Sequence, residues 1–380
     1  MSSEAGSIKL CVLTNVTMSH AQLYFVELRG DSRARGLQHG RHLQEPIGTA
    51  IAFYQSFFRQ HLGIDVAEMR RRAARFIEPT ARLSSALTAE LEGIAEGAGQ
   101  RLDDIFAINA RYEITFEQVK LGECSNVFVG SNRSRNGHTL MGMNWEWRPE
   151  VLDFRAVILA RCEDMPDHIV VTECGQPGKY GINAAGIGAI ETGLGCGELT
   201  SSGDQLFGLL IRHQLAQEAL QDAVDVLVAN RPYATISFFA ADDSGCGVNI
   251  EAAPRRLFRR QMTPDDLCWH TNHCLLSEEP CRFEDSYVRG RRWEELVTTD
   301  KPIDWQTVGD WLADTRDGPN GICKTADSSQ AQLTSFMQTL TSIVLDPAER
   351  VMWVSDGPAC AAPYRRFDFN SNMGATSYAG

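Results

Sequence analysis

Glu123-Cys124-Ser125-Asn126 stands at the head of an alternating apolar run, and Asn144-Trp145-Glu146-Trp147 follows across a hairpin. A cysteine at the start of a strand has two chemical readings. It is one buried thiol among the eleven cysteines of this chain, because free cysteine is among the most buried residue types. Alternatively, it is a nucleophile that becomes a chain terminus when the bond between Glu123 and Cys124 is cut. The freed α-amino group titrates near about pKa 8 and can take the thiol proton as an internal base. The thiolate is then the attacking species. The cut itself asks the thiol to attack the Glu123 carbonyl, form a thioester and let water release the upstream chain. A strained peptide held in a sheet would assist that step.

Composition narrows the surroundings of such a site. A chain of 380 residues with 43% hydrophobic composition can bury a large core. No run is long and apolar enough to cross a bilayer, and residues 1–10 lack the basic head and apolar stretch of a secretory signal. A cytoplasmic protein without a membrane partner is expected. The net charge of −13 argues against nucleic acid, whose phosphates need a basic face. An odd number of cysteines without a C-x-x-C pair fits reduced thiols rather than a disulfide framework.

The elements that must position the site follow from periodicity. Strands are expected at 8–12 and 23–28, then a turn at 30–36, then helices over 36–62, 66–76, 83–98 and 105–118. The character changes at Cys124. Strands are expected at 125–129 and 139–145 around an Asn136-Gly137 turn, and at 154–160, 169–172 and 182–190. Helices at 206–217 and 220–229 are followed by strands at 235–241, 247–251 and 256–261. Helices at 286–297 and 305–314 precede closing strands at 342–345 and 351–354. The polar tail 361–380 reads as loosely held. Strands in hairpins and helices in pairs predict an α+β fold, with antiparallel sheets covered by helix layers.

Other constellations carry weaker chemistry. Cys268-Trp269-His270-Thr271-Asn272-His273-Cys274 packs four potential metal ligands into seven residues, but zinc sites draw on two pairs separated by a loop. No metal site is expected there. As an extended strand, it puts Cys268, His270, Asn272 and Cys274 on one face and His273 on the other. Gly193-Leu194-Gly195-Cys196-Gly197 lacks the lysine of a phosphate loop and reads as a loop bordering a pocket. His39 and His42 lie near the start of the first helix, where His39 is expected to bond within that helix and its turn. Trp145 and Trp147 share a sheet face as core and can also wall a substrate pocket.

Four features, in order along the chain, carry a resemblance: the segment Gly30-Asp31-Ser32-Arg33-Ala34-Arg35-Gly36-Leu37-Gln38-His39-Gly40; Cys124-Ser125 with its hairpin into Asn144-Trp145-Glu146-Trp147; Gly181-Ile182-Asn183-Ala184-Ala185-Gly186-Ile187-Gly188; and Thr271-Asn272-His273 with Ser342-Ile343-Val344-Leu345-Asp346-Pro347 and Asp356-Gly357-Pro358. Together they resemble the acyl-coenzyme A:6-aminopenicillanic acid (isopenicillin N) acyltransferase family, a branch of the N-terminal nucleophile (Ntn) hydrolases. The resemblance implies a four-layer αββα sandwich of two antiparallel sheets flanked by helices. It implies self-cleavage into 1–123 and 124–380, two fragments that stay associated as one domain. It also implies transfer of the acyl group of a small linear amide through an acyl-Cys124 intermediate, to water or to an amine.

By position, Cys124 would be nucleophile and base, and Asn272 an oxyanion-hole donor. Glu146 would orient the ammonium or thiol where the family more often has aspartate. Lys324, in Ile322-Cys323-Lys324, would be the late basic residue, as a point charge rather than an arginine fork. Trp145, Trp147 and His273 would contact substrate. Glu123 replaces the glycine of the fungal pattern before the cut. No cofactor is implied. Acyl-coenzyme A stays open as donor, and a homo-oligomer stays open as assembly. Two other classes also remain: a thiol hydrolase with a histidine base and no self-cleavage, and a non-catalytic binding module of the same fold.

Overall fold

β1 (Tyr24–Gly30) ends at a glycine with φ +102°, a conformation that side chains rarely adopt. Asp31 then caps α1 (Ser32–His42), its carboxylate accepting from the Ala34 N–H at 2.8 Å. The periodic stretch 36–62 proves to be two helices. Pro46 has no N–H to donate and its ring crowds the carbonyl four residues back, so α2 (Gln44–Leu62) starts afresh after the non-helical Leu43. α3 (Val66–Ala74), α4 (Ile77–Leu83), α5 (Ser85–Ala98), α6 (Leu102–Asn109) and α7 (Arg111–Phe116) complete this helical third. The helix expected over 105–118 is split at Ala110.

This computed structural model describes residues 23–118, 124–196, 203–252, 256–281, 283–299, 301–325 and 337–370. The strand expected at 8–12 and the residue Glu123 lie outside them.

After the helical third come β2 (Ser125–Val129), β3 (Leu140–Trp147), β4 (Arg155–Cys162), β5 (His168–Glu173), β6 (Tyr180–Asn183) and β7 (Gly188–Gly193). α8 (Phe207–Gln214) and α9 (Leu220–Ala229) lead to β8 (Ile236–Ala241), β9 (Gly247–Ala252), β10 (Leu257–Met262) and β11 (Leu267–His270). α10 (Glu284–Leu296) and α11 (Trp305–Leu312) precede β12 (Gln338–Asp346), β13 (Val351–Ser355) and β14 (Tyr364–Asp368). One sheet has the order β1-β4-β5-β6-β7-β8-β9-β10, the other β11-β2-β3-β12-β13-β14. Every pairing is antiparallel except β1 with β4.

The sheets face each other, with β2 and β3 against β7. α1, α8 and α9 cover the eight-stranded sheet, and α10 and α11 the six-stranded one. The result is the four-layer αββα sandwich. Strand alternation sorts the two sides of β2 and β3. Phe128, Met141, Met143 and Trp145 join the core between the sheets, while Val127, Val129 and Leu140 pack with Trp293, Val308 and Leu312 under the helices.

Three local expectations are corrected. The run 182–190 is a hairpin, because the Asn183 side chain accepts from the Ile187 N–H at 2.9 Å and Gly186 turns at φ +90°. The tail is not loose at its start, since β14 pairs with β13. The stretch 268–274 leaves the strand at His270, so its alternation of faces does not hold beyond that residue.

The glycines of the first motif have a packing role. Gly36 and Gly40 on α1 meet Gly93 and Gly97 on α5 so closely that a Cβ on Gly36 would lie 2.1 Å from the Glu90 carbonyl oxygen. That atom is backbone and cannot swing aside. Gly36→Ala is therefore expected to destabilise the fold by about 2 kcal/mol or more, the scale of core overpacking. Urea unfolding of wild type and variant measures it.

Candidate active site

Cys124 immediately precedes β2 and is 7% exposed. Its side chain lines a narrow cavity between the sheets with Trp145, Glu146 and Trp147 from β3, Lys179 and Tyr180 at β6, and Glu191 from β7. Arg111, Tyr112 and Phe207 close the helical side. No histidine lines it among the described residues.

Two buried ion pairs polarise the walls. Arg111 donates through Nε to Glu173 at 2.6 Å and pairs with the same oxygen through Nη2. The other Glu173 oxygen takes the Tyr54 hydroxyl at 2.6 Å, and Tyr54 accepts from the Trp147 indole at 3.0 Å. Lys179 lies 3.7 Å from Glu191, which also accepts the Tyr180 hydroxyl at 2.6 Å. The Lys179 ammonium sits over the rings of Trp145, Tyr180 and Phe207 at 4.9, 4.4 and 5.1 Å. Burial, with Arg111 beside it, brings Lys179 down to about 8 against the pull of Glu191. Burial raises Glu191 despite Lys179 and Tyr180. In this uncut chain, burial followed by the Glu146 and Glu191 carboxylates pushes the Cys124 thiol well up; Lys179 and a backbone hydrogen bond from Glu146 act the other way.

Behind Cys124 a second network converges on Arg289 of α10. Its guanidinium donates to the Cys124 carbonyl at 2.8 Å, the Ser125 hydroxyl at 3.3 Å, the Asn272 side-chain oxygen at 2.6 Å and Asp285 at 2.9 Å. The Asn272 amide nitrogen donates to the Gly193 carbonyl at 2.7 Å, at the end of β7. One guanidinium therefore ties the backbone at Cys124 to the amide of Asn272.

Lys324 donates to Asp285 at 3.0 Å, and its N–H donates to the Thr339 hydroxyl, which in turn donates to Glu146 at 2.8 Å. The structure thus joins Cys124, Asn272, Lys324 and Glu146 through Arg289, Asp285 and Thr339. Asn272, Lys324 and His273 are not among the cavity's lining residues. The His273 ring stacks on Tyr287 at 4.4 Å, and its Nδ1 lies 2.8 Å from the Ser286 hydroxyl. Trp145 and Trp147 are both core and cavity wall. His39 does not bond within its own helix and turn. Its Nε2 accepts from the Gly175 N–H at 3.0 Å, after β5. Among the described residues no group of three or more His, Cys, Asp or Glu side chains is arranged to hold a metal, and no helix is long and apolar enough to cross a membrane.

The model of the family described as acyl-coenzyme A:6-aminopenicillanic acid acyl-transferase matches residues 133–358. The chain belongs to this family. The matched stretch holds Glu146, Asn272, Arg289 and Lys324 and begins beyond Cys124. The 40 kDa form of an acyl-coenzyme A:6-aminopenicillanic-acid-acyltransferase from Emericella nidulans is 25% identical over 280 residues, 72% of this chain and 77% of that one. Among solved structures, penicillin V acylase from Agrobacterium tumefaciens is similar at 13% identity over 67% of this chain and 90% of its own, with a TM-score of 0.42. A mutant conjugated bile acid hydrolase from Clostridium perfringens is 10% identical over 68% of this chain and 96% of its own, with a TM-score of 0.46.

Asp285, Arg289 and Asn272 make an acid-sensitive joint. Burial alone would raise Asp285, but Arg289 and Lys324 outweigh it and hold the carboxyl at about 2, against 3.8 unperturbed. The folded value lies below the unfolded one. The stabilisation is therefore complete above about pH 4 and is lost as pH falls toward about 2. Asp285→Asn is expected to lower stability by about 2 kcal/mol at neutral pH. The gap to wild type should narrow steadily below pH 4 in urea titrations.

Proposed function

We propose that this protein is a self-processing amide-bond enzyme whose nucleophile is the Cys124 thiol. The bond between Glu123 and Cys124 is cut by the chain itself, so that the mature enzyme pairs residues 1–123 with residues 124–380. The freed α-amine takes the thiol proton, and the thiolate attacks the carbonyl of a small linear amide. An acyl-Cys124 intermediate is then released to water or to an amine. Acyl-coenzyme A is a candidate donor by analogy with what the name of the Emericella relative states.

The observation that carries this reading is the placement of Cys124. It stands at the head of an inner strand, its side chain in an aromatic-walled cavity and its carbonyl held by the guanidinium that also holds Asn272. The absence of histidine from the described lining favours the amine over an imidazole as base. Burial holds the thiol up in the uncut chain, and an adjacent ammonium created by cleavage would bring it down. Asn272 has one amide hydrogen committed to Gly193 and offers the other as oxyanion donor. Glu146 acts from the cavity wall and Lys324 from behind it, as orienting charges. Trp145 and Trp147 give the acyl group an apolar wall. His273 lies away from that cavity and has no role in this mechanism.

Cys124→Ala is expected to abolish both chain cutting and turnover of an amide and thioester panel. Loss of turnover in a chain whose wild type never cuts would support the thiol hydrolase without processing. Unchanged behaviour would support a binding module.

A further inference from the structure

The cavity holds one polar group that the mechanism above leaves unused. Glu191 is 3% exposed and lines the wall with Cys124. One of its oxygens takes the Tyr180 hydroxyl and faces Lys179, but the other, Oε2, is buried without a hydrogen-bond partner. An ionised carboxylate in a protein interior is strongly disfavoured when an acceptor stays empty. This condition is not unique to Glu191: one oxygen of Glu113 is in the same position, and Glu146 also faces this cavity. Glu173 has both oxygens filled, by Arg111 and by Tyr54. Glu146 accepts the Thr339 hydroxyl. Glu113 of α7 accepts the Phe207 N–H and does not line the cavity. Glu191 therefore presents an acceptor to a donor that the intact chain does not supply.

We propose that Glu191 is a positioning residue for the processed enzyme: its open oxygen receives the α-ammonium that cleavage before Cys124 sets free. This rests on the self-processing reading given above. Cutting turns the Cys124 peptide nitrogen into a three-proton donor in the same cavity. Lys179, fenced by three aromatic faces, lies 3.7 Å from the first Glu191 oxygen, and the second has no hydrogen-bond partner. The amine is thereby held beside the thiol it must deprotonate. The charged and titratable groups around this point are Arg111, Tyr112 and Glu113 of α7, Glu146 of β3, Glu173 of β5, Lys179, and Tyr180 of β6, with Arg289 at the Cys124 carbonyl. The raised position of Glu191 in the uncut chain agrees with a carboxylate waiting for a cation.

The test is a titration of the α-amine itself. In processed protein labelled with [15N]cysteine, the single α-amino nitrogen is separate from backbone amides in nitrogen NMR, and its shift against pH gives its midpoint. Glu191→Gln keeps the shape and removes the charge. It is expected to move the midpoint down by about one pH unit or more, the scale for an opposite charge in contact. Glu191→Asp retains a carboxylate and is expected to fall between the two. An unchanged midpoint in a cut, folded Glu191→Gln protein overturns the proposal and leaves self-processing intact. If the Gln variant fails to cut, the Asp variant decides, and a midpoint equal to wild type overturns the proposal. A wild-type chain that stays whole by mass overturns both.

Discussion

A charge buried in a protein interior needs partners, and removing one of them costs several kcal/mol. Arg289 is fully buried and meets this demand with acceptors from three separate segments: the residues Cys124 and Ser125 at β2, Asn272 past the end of β11, and Asp285 one turn back on α10. Arginine suits the task because its planar fork points several donors in fixed directions. The consequence is geometric. The backbone at Cys124 and the amide of Asn272 cannot move independently while the guanidinium holds both.

The same constraint organises the cavity wall. Arg111 with Glu173, and Lys179 with Glu191, place buried charge around the cavity between the two sheets. Aromatic rings fill the remaining surface. This environment works against a thiolate at Cys124. On the proposed self-processing, a cut before Cys124 would add one cation to a cavity that Glu146 and Glu191 already line.

Much of the frame was legible in the sequence because it is periodic. The alternation after Cys124 marked β2 and β3, and Trp145 and Trp147 fell on one face as expected. α9 matches its predicted span. The resemblance located Cys124, Asn272, Glu146 and Lys324 in one connected network. Arg289 and Asp285 escaped notice because an Asp and Arg four apart on a polar helix look like a surface ion pair. The Cys124 carbonyl that Arg289 holds lies 165 residues away in the chain. Lys179 and Glu191 sit in a turn and a strand whose apolar neighbours hid them. The run 182–190 read as one strand since Asn183 and Gly186 turn the chain without interrupting its apolar content. Edge strand β14 is half polar, because only one face is covered, and a periodicity search passes over it.

The central claim is that Cys124 becomes a chain terminus. The direct measurement is the intact mass of freshly purified wild-type protein under denaturing conditions, with the N-terminal residue of each component determined. The account predicts two fragments, the larger beginning at Cys124. A single uncut chain that nonetheless turns over amides at Cys124 would contradict it.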